Sequence, residues 1–322
     1  MLKFAAKRFA YSLIVVFIAS FILFWAVRAT FDPLAKVRLS HDPGAIARET
    51  KRLGLDQSIV QQYFTWLGRF LTGDWGVSSA TNEPVFSVIG RALGTTAQLL
   101  LWGLLLAVLV AAAVGVYSAI RQYSIGDVAL TGLSYLGLAM PPFWFGLVLI
   151  AVVSLAPQQL FGWQEPPFLF VGLHSPDSSG IGLDYFRHLV LPVLTFTAQL
   201  IGNWSRYLRS SMLGTLRSDY VRTARAKGVP RRQVILRHAV RNSLGPFITV
   251  VALDAGLLFG GLVVTEQVFA VDGMGRLFFS SIQAGDAFVL VPWMVVVALA
   301  VILFNLLADF SYAWLDPRVR LR

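Results

Sequence analysis

Residues able to do chemistry are few and scattered in this sequence. The four histidines, His41, His174, His188 and His238, lack the spacing of zinc ligands. No G-x-x-x-x-G-K-[ST] phosphate loop occurs, which excludes ATP hydrolysis by that route. H-E-x-x-H and G-x-S-x-G are also absent, which argues against a membrane protease or lipase. What remains is polar groups set among apolar ones. Thr195, Gln199 and Asn203 fall at i, i+4 and i+8 and share one helical face. In lipid such a stripe is costly, so it faces either neighbouring helices or a water-filled path. Asp254 sits inside an apolar run, where a carboxyl group either contacts a substrate amino group or is neutralised or paired within a bundle. Gly256-x-x-x-Gly260, with Gly261, permits close helix approach. Glu266 lies nearer the end of the same run, within reach of an interface.

The elements that must hold these residues are membrane spans. Of 322 residues, 56% are hydrophobic and 14% charged, and mean hydropathy is +0.67. Soluble domains carry about 25% charged residues. Apolar runs of roughly 18 residues or more span a bilayer. These facts exclude a soluble enzyme, a disordered chain and a β-barrel, and the absence of cysteine excludes a disulfide scaffold. Six runs are expected to cross: Phe9 to Val27, Thr95 to Ile120, Val128 to Ala156, His188 to Ser205, Leu244 to Val271 and Phe288 to Trp314. The first is too long for a signal-peptide core and lacks a cleavage site, so it reads as a permanent span.

Met140-Pro141-Pro142 interrupts the third run, leaving a kinked span or a re-entrant hairpin. Charge favours the kinked span. With six spans, the inner segments 1–8, 121–127, 206–241 and 316–322 hold 17 Lys/Arg against Asp127, Asp219 and Asp316. The outer segments carry slightly more acid than base. A hairpin would put the acidic 157–187 segment inside or invert the spans after it, against the positive-inside rule. The expected organisation is an inner tail and first helix (1–27), a long outer segment (28–92), a five-helix core (93–315) with an inner loop (206–243), and a basic inner tail (316–322). Within the outer segment, Ile59, Val60, Tyr63, Phe64, Trp66, Leu67, Phe70 and Leu71 recur at helical spacing. That helix lies at the membrane interface or docks an outer partner.

The inner loop is the most specific part. Ser218 to Pro246 reads SDYVRTARAKGVPRRQVILRHAVRNSLGP. Ser218 suits an N-cap and Asp219 a first helical turn. Gly228 suits the left-handed residue that closes a short helix. Pro230 suits the first turn of a second helix, with an interruption near Gly245-Pro246. Tyr220 offers an anchor of the type enriched at interfaces, and Ala224 permits close approach. The basic flank Arg222, Arg225, Lys227, Arg231 and Arg232 retains the loop inside, attracts anionic lipid, or frames a docking helix.

Arg222-Thr223-Ala224, three residues, then Gly228 resembles the EAA loop of bacterial ABC-importer permeases. Arg222 and Thr223 stand where that family has Glu and its first Ala, and Arg241 stands where many members have proline. TARAKG with a following basic helix resembles the dipeptide/oligopeptide/nickel subfamily. So do Arg52-Leu53-Gly54-Leu55-Asp56, Gly73-Asp74-Trp75-Gly76-Val77-Ser78 and GLLFGGLVVTEQVFAVDGMGRL, in that order along the chain. The resemblance is to B-type subunits and covers nearly the whole chain. It implies an all-α membrane protein with six transmembrane helices in a type I ABC-importer permease-like bundle. It implies a coupling helix that fits a groove on an ATPase, carried here by Tyr220, Arg222, Thr223, Ala224, Lys227, Gly228, Val229 and Pro230. It implies a permease moving di- or oligopeptides by alternating access in the bacterial cytoplasmic membrane, both termini cytoplasmic. The implied partners are a C-type permease, two cytoplasmic ATPase subunits, an extracytoplasmic substrate-binding protein and membrane lipid, with no nucleic acid. The chain itself is expected to be no enzyme and to bind no cofactor or metal, with ATP and Mg on the ATPases. Nickel or another small solute is the alternative cargo. A self-sufficient channel or secondary transporter is the more distant alternative, for which inverted repeats would be expected.

Overall fold

The computed structural model describes residues 2–38 and 44–315 and, among these, all side chains except those of 2–8, 35–36, 260–261 and 308–315. His41 and the basic tail 316–322 lie outside the described residues. Those described form helices and no strand. In order they are α1 (Leu2–Thr30), α2 (Ala35–Arg38), α3 (Ala45–Arg52), α4 (Ile59–Leu71), α5 (Val85–Ile120), α6 (Ile125–Ala139) and α7 (Pro142–Leu149). Then come α8 (Ala156–Phe161), α9 (Leu183–Leu216), α10 (Asp219–Ala226), α11 (Arg231–Gln233) and α12 (Arg241–Gly261). The last are α13 (Val263–Val268), α14 (Met274–Gln283) and α15 (Ala287–Leu315). π-helical turns over Ile150–Leu155 and Val234–Val240 join α7 to α8 and α11 to α12.

Five helical stretches among the described residues are long and apolar enough to cross a membrane: Phe9–Thr30, Val85–Ile120, Pro142–Phe161, Arg231–Phe259 and Ala287–Leu307. α6 is apolar but shorter. The expected fourth span falls within α9, which is long enough but carries Arg187, His188, Gln199, Asn203, Arg206 and Arg209. Its place in the fold explains that composition. α9 packs against α6, α7, α12 and α13, and Leu191, Thr197, Trp204, Leu208 and Met212 on it have no exposed surface. A helix enclosed by protein can carry polar groups that lipid would reject.

Among the described residues the chain forms two compact units. One comprises residues 97–271 and 303–322 and is organised around α9. Gly103, Ala107, Ala111 and Gly115 stand at every fourth position of α5 and form a small-residue stripe. A Cβ on Gly103 would overlap the Phe196 ring, and one on Gly115 would lie 2.8 Å from the Ser205 carbonyl oxygen. Ala107 and Ala111 pack with Trp204 and Leu208. The other side of α9 receives α6 in the same way, with Gly202 against the Ser134 carbonyl and Gly137 against that of Ala198.

The interruption in the third run is a break with continued direction. Met140 and Pro141 are extended (ψ 127 and 135) and separate α6 from α7. Pro141 and Pro142 lack N–H groups, so the carbonyls of Gly137 and Leu138 lose their helical donors. Going up the chain, Asp127 meets Arg209, Ser134 meets Ser205, Met140 meets Gln199 and Gly146 meets Thr195. The partners on α9 descend steadily across the break. A hairpin would reverse that order.

Two boundaries differ from expectation. The helix from Arg231 passes Pro246 without stopping, and its irregularity is the π-helical winding upstream. It ends at Gly261, so the expected fifth run to Val271 closes early and continues as α13. Glu266 on α13 is fully buried within the chain.

The second unit comprises residues 1–96 and 272–302. α4 opens on a capping box between Ser58 and Gln61. Its main apolar face is covered by α1, not by lipid. Tyr63 is fully buried, with its ring edge-on to Phe17, Phe21 and Phe24 and its hydroxyl 2.7 Å from Ser20 Oγ. Val60, Phe64 and Leu71 form a second, exposed apolar face. In the same unit Asp286 accepts from Ser78 Oγ at 2.6 Å and from the Ala80 amide, and caps the start of α15 through the Val289 amide.

Candidate functional site

The loop between α9 and α12 folds as a short helix on a fixed base. α10 is eight residues long. Ser218 occupies the N-cap position in an extended conformation, but its hydroxyl donates to the Thr215 carbonyl at 2.6 Å and does not cap the helix. Ser218 therefore ties the loop back to the end of α9. The far end closes as expected. Gly228 has φ +75, its N–H donates to Arg225 O at 3.0 Å, and Val229 N–H donates to Ala224 O at 3.2 Å. These two bonds make the Schellman arrangement, which needs a left-handed residue at this position. Pro230 stands one residue before α11, as its N-cap, and its carbonyl accepts from Val234 N–H.

One face of α10 is anchored and the other is open. Val221 is fully buried. Asn242 Nδ2 donates to the Tyr220 hydroxyl at 2.9 Å, and Ser243 Oγ donates to Thr215 Oγ1 at 3.0 Å. Tyr220 thus spends its hydroxyl on its own chain, while the residue as a whole stays 46% exposed. Arg222, Thr223, Lys227, Gly228 and Pro230 are exposed, and Ala224 and Val229 are half-buried. Arg222 lies 3.6 Å from Asp219, a surface pair that contributes little. Tyr220 thereby ties α10 to Asn242 at the base of α12, and Ser218 ties it to Thr215 at the end of α9.

The polar groups within the membrane are mostly satisfied inside the chain. Thr195 is buried beside Gly146 and its hydroxyl donates to Leu191 O in its own helix. Gln199 donates to Met140 O at the α6–α7 break, at 3.2 Å. Asn203, the third member of the stripe, is exposed. Asp254 accepts from the indole of fully buried Trp204 at 2.7 Å. Of its two sequence readings, this geometry provides the pairing. Gly256 is buried, and the surroundings of Gly260 and Gly261 lie outside the described residues.

Sequence reasoning did not single out the Asp127–Arg209 pair. Arg209 donates twice to the buried carboxylate, at 2.9 and 3.2 Å, and the Tyr123 amide adds a third bond. The pair ties the start of α6 to α9. At the start of α9, the hydroxyl and amide of Ser175 both donate to Asp184 and hold its carboxyl down at about 2.

Comparison with known proteins bears on this geometry. Residues 103–321 match the family described as binding-protein-dependent transport system inner membrane component, and residues 1–100 match its N-terminal counterpart. The chain is 38% identical over 270 residues to the oligopeptide transport system permease protein AppB of Bacillus subtilis, covering 84% of this chain and 83% of that one. It is 34% identical over 328 residues to the oligopeptide permease OppB of Mycobacterium tuberculosis, covering 99% of both chains. It is 33% identical over 337 residues to the di/tripeptide permease DppB of Pseudomonas aeruginosa, again covering 99% of both.

Proposed function

Because this chain belongs to the binding-protein-dependent transport system inner membrane components, transport subunits rather than enzymes, we propose that it is the B-type permease of an ATP-driven peptide importer. Its similarity to oligopeptide and di/tripeptide permeases supports peptides over nickel or another small solute as cargo. In this reading the chain lies in the cytoplasmic membrane with both termini inside. It pairs with a C-type permease, two cytoplasmic ATPase subunits and an outer binding protein. α10 is the element on which the ATPases act.

The observation that carries the coupling role is the build of α10. It is short, closed at Gly228, fixed on one face to α9 and α12, and open on the face bearing Arg222, Thr223 and Lys227. A helix with those properties transmits displacement without dissipating it. α9 runs from that base past Gln199, which meets the α6–α7 break, and Thr195, which packs beside Gly146 of α7. Movement at the loop and rearrangement along the spans therefore share one helix.

The test is purification from native membranes followed by reconstitution. The expected result is co-purification of ATPase subunits and peptide uptake that needs ATP. Uptake by the chain alone, without ATP, would establish a self-sufficient transporter instead.

A further inference from the structure

In the unit formed by residues 1–96 and 272–302, α1, α3, α4, the turn from Asp74 to Asn82 and the start of α15 line a cavity of about 430 Å³. Ligand pockets run to roughly 300–1,000 Å³. Three features of its lining point to one kind of occupant.

The first is a cation without a counter-charge. Arg28, in the last turn of α1, is half-buried and makes no ion pair or hydrogen bond among the described residues. Its guanidinium carbon stands 5.7 Å from the Phe24 ring centroid. Arg52, also in the lining, is already matched by Glu49 at 2.8 Å. A partly desolvated charge is costly unless something pairs with it, and a bound anion would supply that pairing.

The second is an open backbone edge. Gly76 to Ser79 line the cavity, and Val77 forms an isolated antiparallel bridge with Pro84. Ser78 N–H donates to Glu83 O, and Val85 N–H donates to Gly76 O. Antiparallel geometry turns the N–H and C=O of Val77 to the opposite edge, where they have no partner among the described residues. Extended peptides bind proteins by pairing with such edges.

The third is the wall. Trp66 and Trp75 both line the cavity and both stack on Phe70, at 5.2 and 4.7 Å. They provide a fixed aromatic surface for an apolar side chain.

We propose that this cavity binds the carboxyl-terminal end of a short peptide, with its carboxylate on Arg28 and its main chain along Val77. The choice of a peptide rests on the import reading above. An anionic lipid headgroup would also pair with Arg28 but has no main chain to offer the Val77 edge.

The experiment uses the intact importer complex without its binding protein, in phosphatidylcholine nanodiscs, with radiolabelled trialanine and its C-terminal amide as probes. Wild type should bind the free acid about tenfold more tightly than the amide, the loss of one charge-assisted hydrogen bond. Arg28→Met should weaken the acid by the same factor and leave the amide unchanged, and Arg28→Lys should restore part of the difference. Should Arg28→Met fail to assemble, the acid–amide comparison in wild type and Arg28→Lys carries the test. Equal binding of acid and amide, or a preference that survives Arg28→Met, overturns the proposal. So does displacement of all bound peptide by added phosphatidylglycerol. ATP-driven trialanine uptake is measured in parallel. Uptake without acid–amide discrimination removes this site alone, whereas discrimination without uptake removes the import reading and leaves the site.

Discussion

Replacing Gly228 separates a mechanical loop from a charged tether. The native φ is +75, and a Cβ added there meets no atom within 4 Å. The cost of a side chain is therefore backbone strain and not collision. That strain is about 1–2 kcal/mol for an L-residue in the left-handed region, and it is greatest for a β-branched one. The chain can escape the strain by turning to negative φ, but it then loses the Gly228–Arg225 and Val229–Ala224 bonds, each worth roughly 0.5–1.5 kcal/mol net. Both routes cost about the same, so Gly228→Val should shift the equilibrium against the native turn by about 5–30-fold. Membrane insertion depends on the apolar helices and should not change. Asparagine tolerates positive φ better than alanine or valine do, so coupling should fall in the order Gly, Asn, Ala, Val. The assay is peptide uptake and transport-linked ATP hydrolysis in proteoliposomes, with ATPase co-purification measured alongside. Equal coupling across the four residues would refute the lever argument and leave the basic flank as the functional part.

Three further outcomes are expected. Trp204→Phe should cost about 1–3 kcal/mol of stability by orphaning the Asp254 carboxyl group, read as a lower unfolding temperature of the purified complex, while Asp254→Asn, which keeps an acceptor oxygen, should be milder and leave uptake intact; lost uptake at normal yield would make Asp254 a substrate contact. Asp127→Ala strands Arg209 and should cost about 3 kcal/mol, the low end for breaking a buried pair because Arg209 is a quarter exposed; Asp127→Leu with Arg209→Met should recover most of it in the same thermal assay. In this cysteine-free chain, single cysteines at Thr81 and Ser179 should react with an impermeant thiol reagent from outside and one at Lys227 only from inside, and reaction of Ser179 from the inside would overturn the proposed orientation.

Much of the architecture is legible because lipid imposes a compositional rule: all six apolar runs fold as helix, the third and fifth with a break. The closing glycine of α10 is legible because few residues accept its backbone conformation. The small-residue stripe on α5 stands out only once Phe196, Trp204, Ser205 and Leu208 of α9 are placed against it. Side-chain pairs are hidden by separation along the chain: Trp204 and Asp254 are 50 residues apart, Arg209 and Asp127 are 82, and Ser78 and Asp286 are 208. The polar stripe on α9 shows a shared face but not its partners, since Gln199 answers a carbonyl exposed by a break in another helix. Pro246 misleads in the opposite way. It signals an interruption, yet a proline removes only one donor and α12 runs through it; the π-helical winding lies elsewhere, over Val234–Val240. Ser218 also illustrates the limit: its position suits a cap, but its hydroxyl is drawn to the Thr215 carbonyl instead.

The most direct test of the central claim is cross-linking from α10 to the ATPase. Arg222→Cys, Thr223→Cys and Lys227→Cys each present a thiol on the open face of the helix. With cysteines introduced along the ATPase surface and the complex trapped with a non-hydrolysable ATP analogue, oxidation should join these positions to the ATPase. It should also stop transport, and reduction should restore it. A cysteine at Ser179, between α8 and α9, should form no such link. Failure of all three α10 positions to cross-link, in a complex that still carries its ATPases and transports peptide, would contradict the assignment of α10 as the coupling helix.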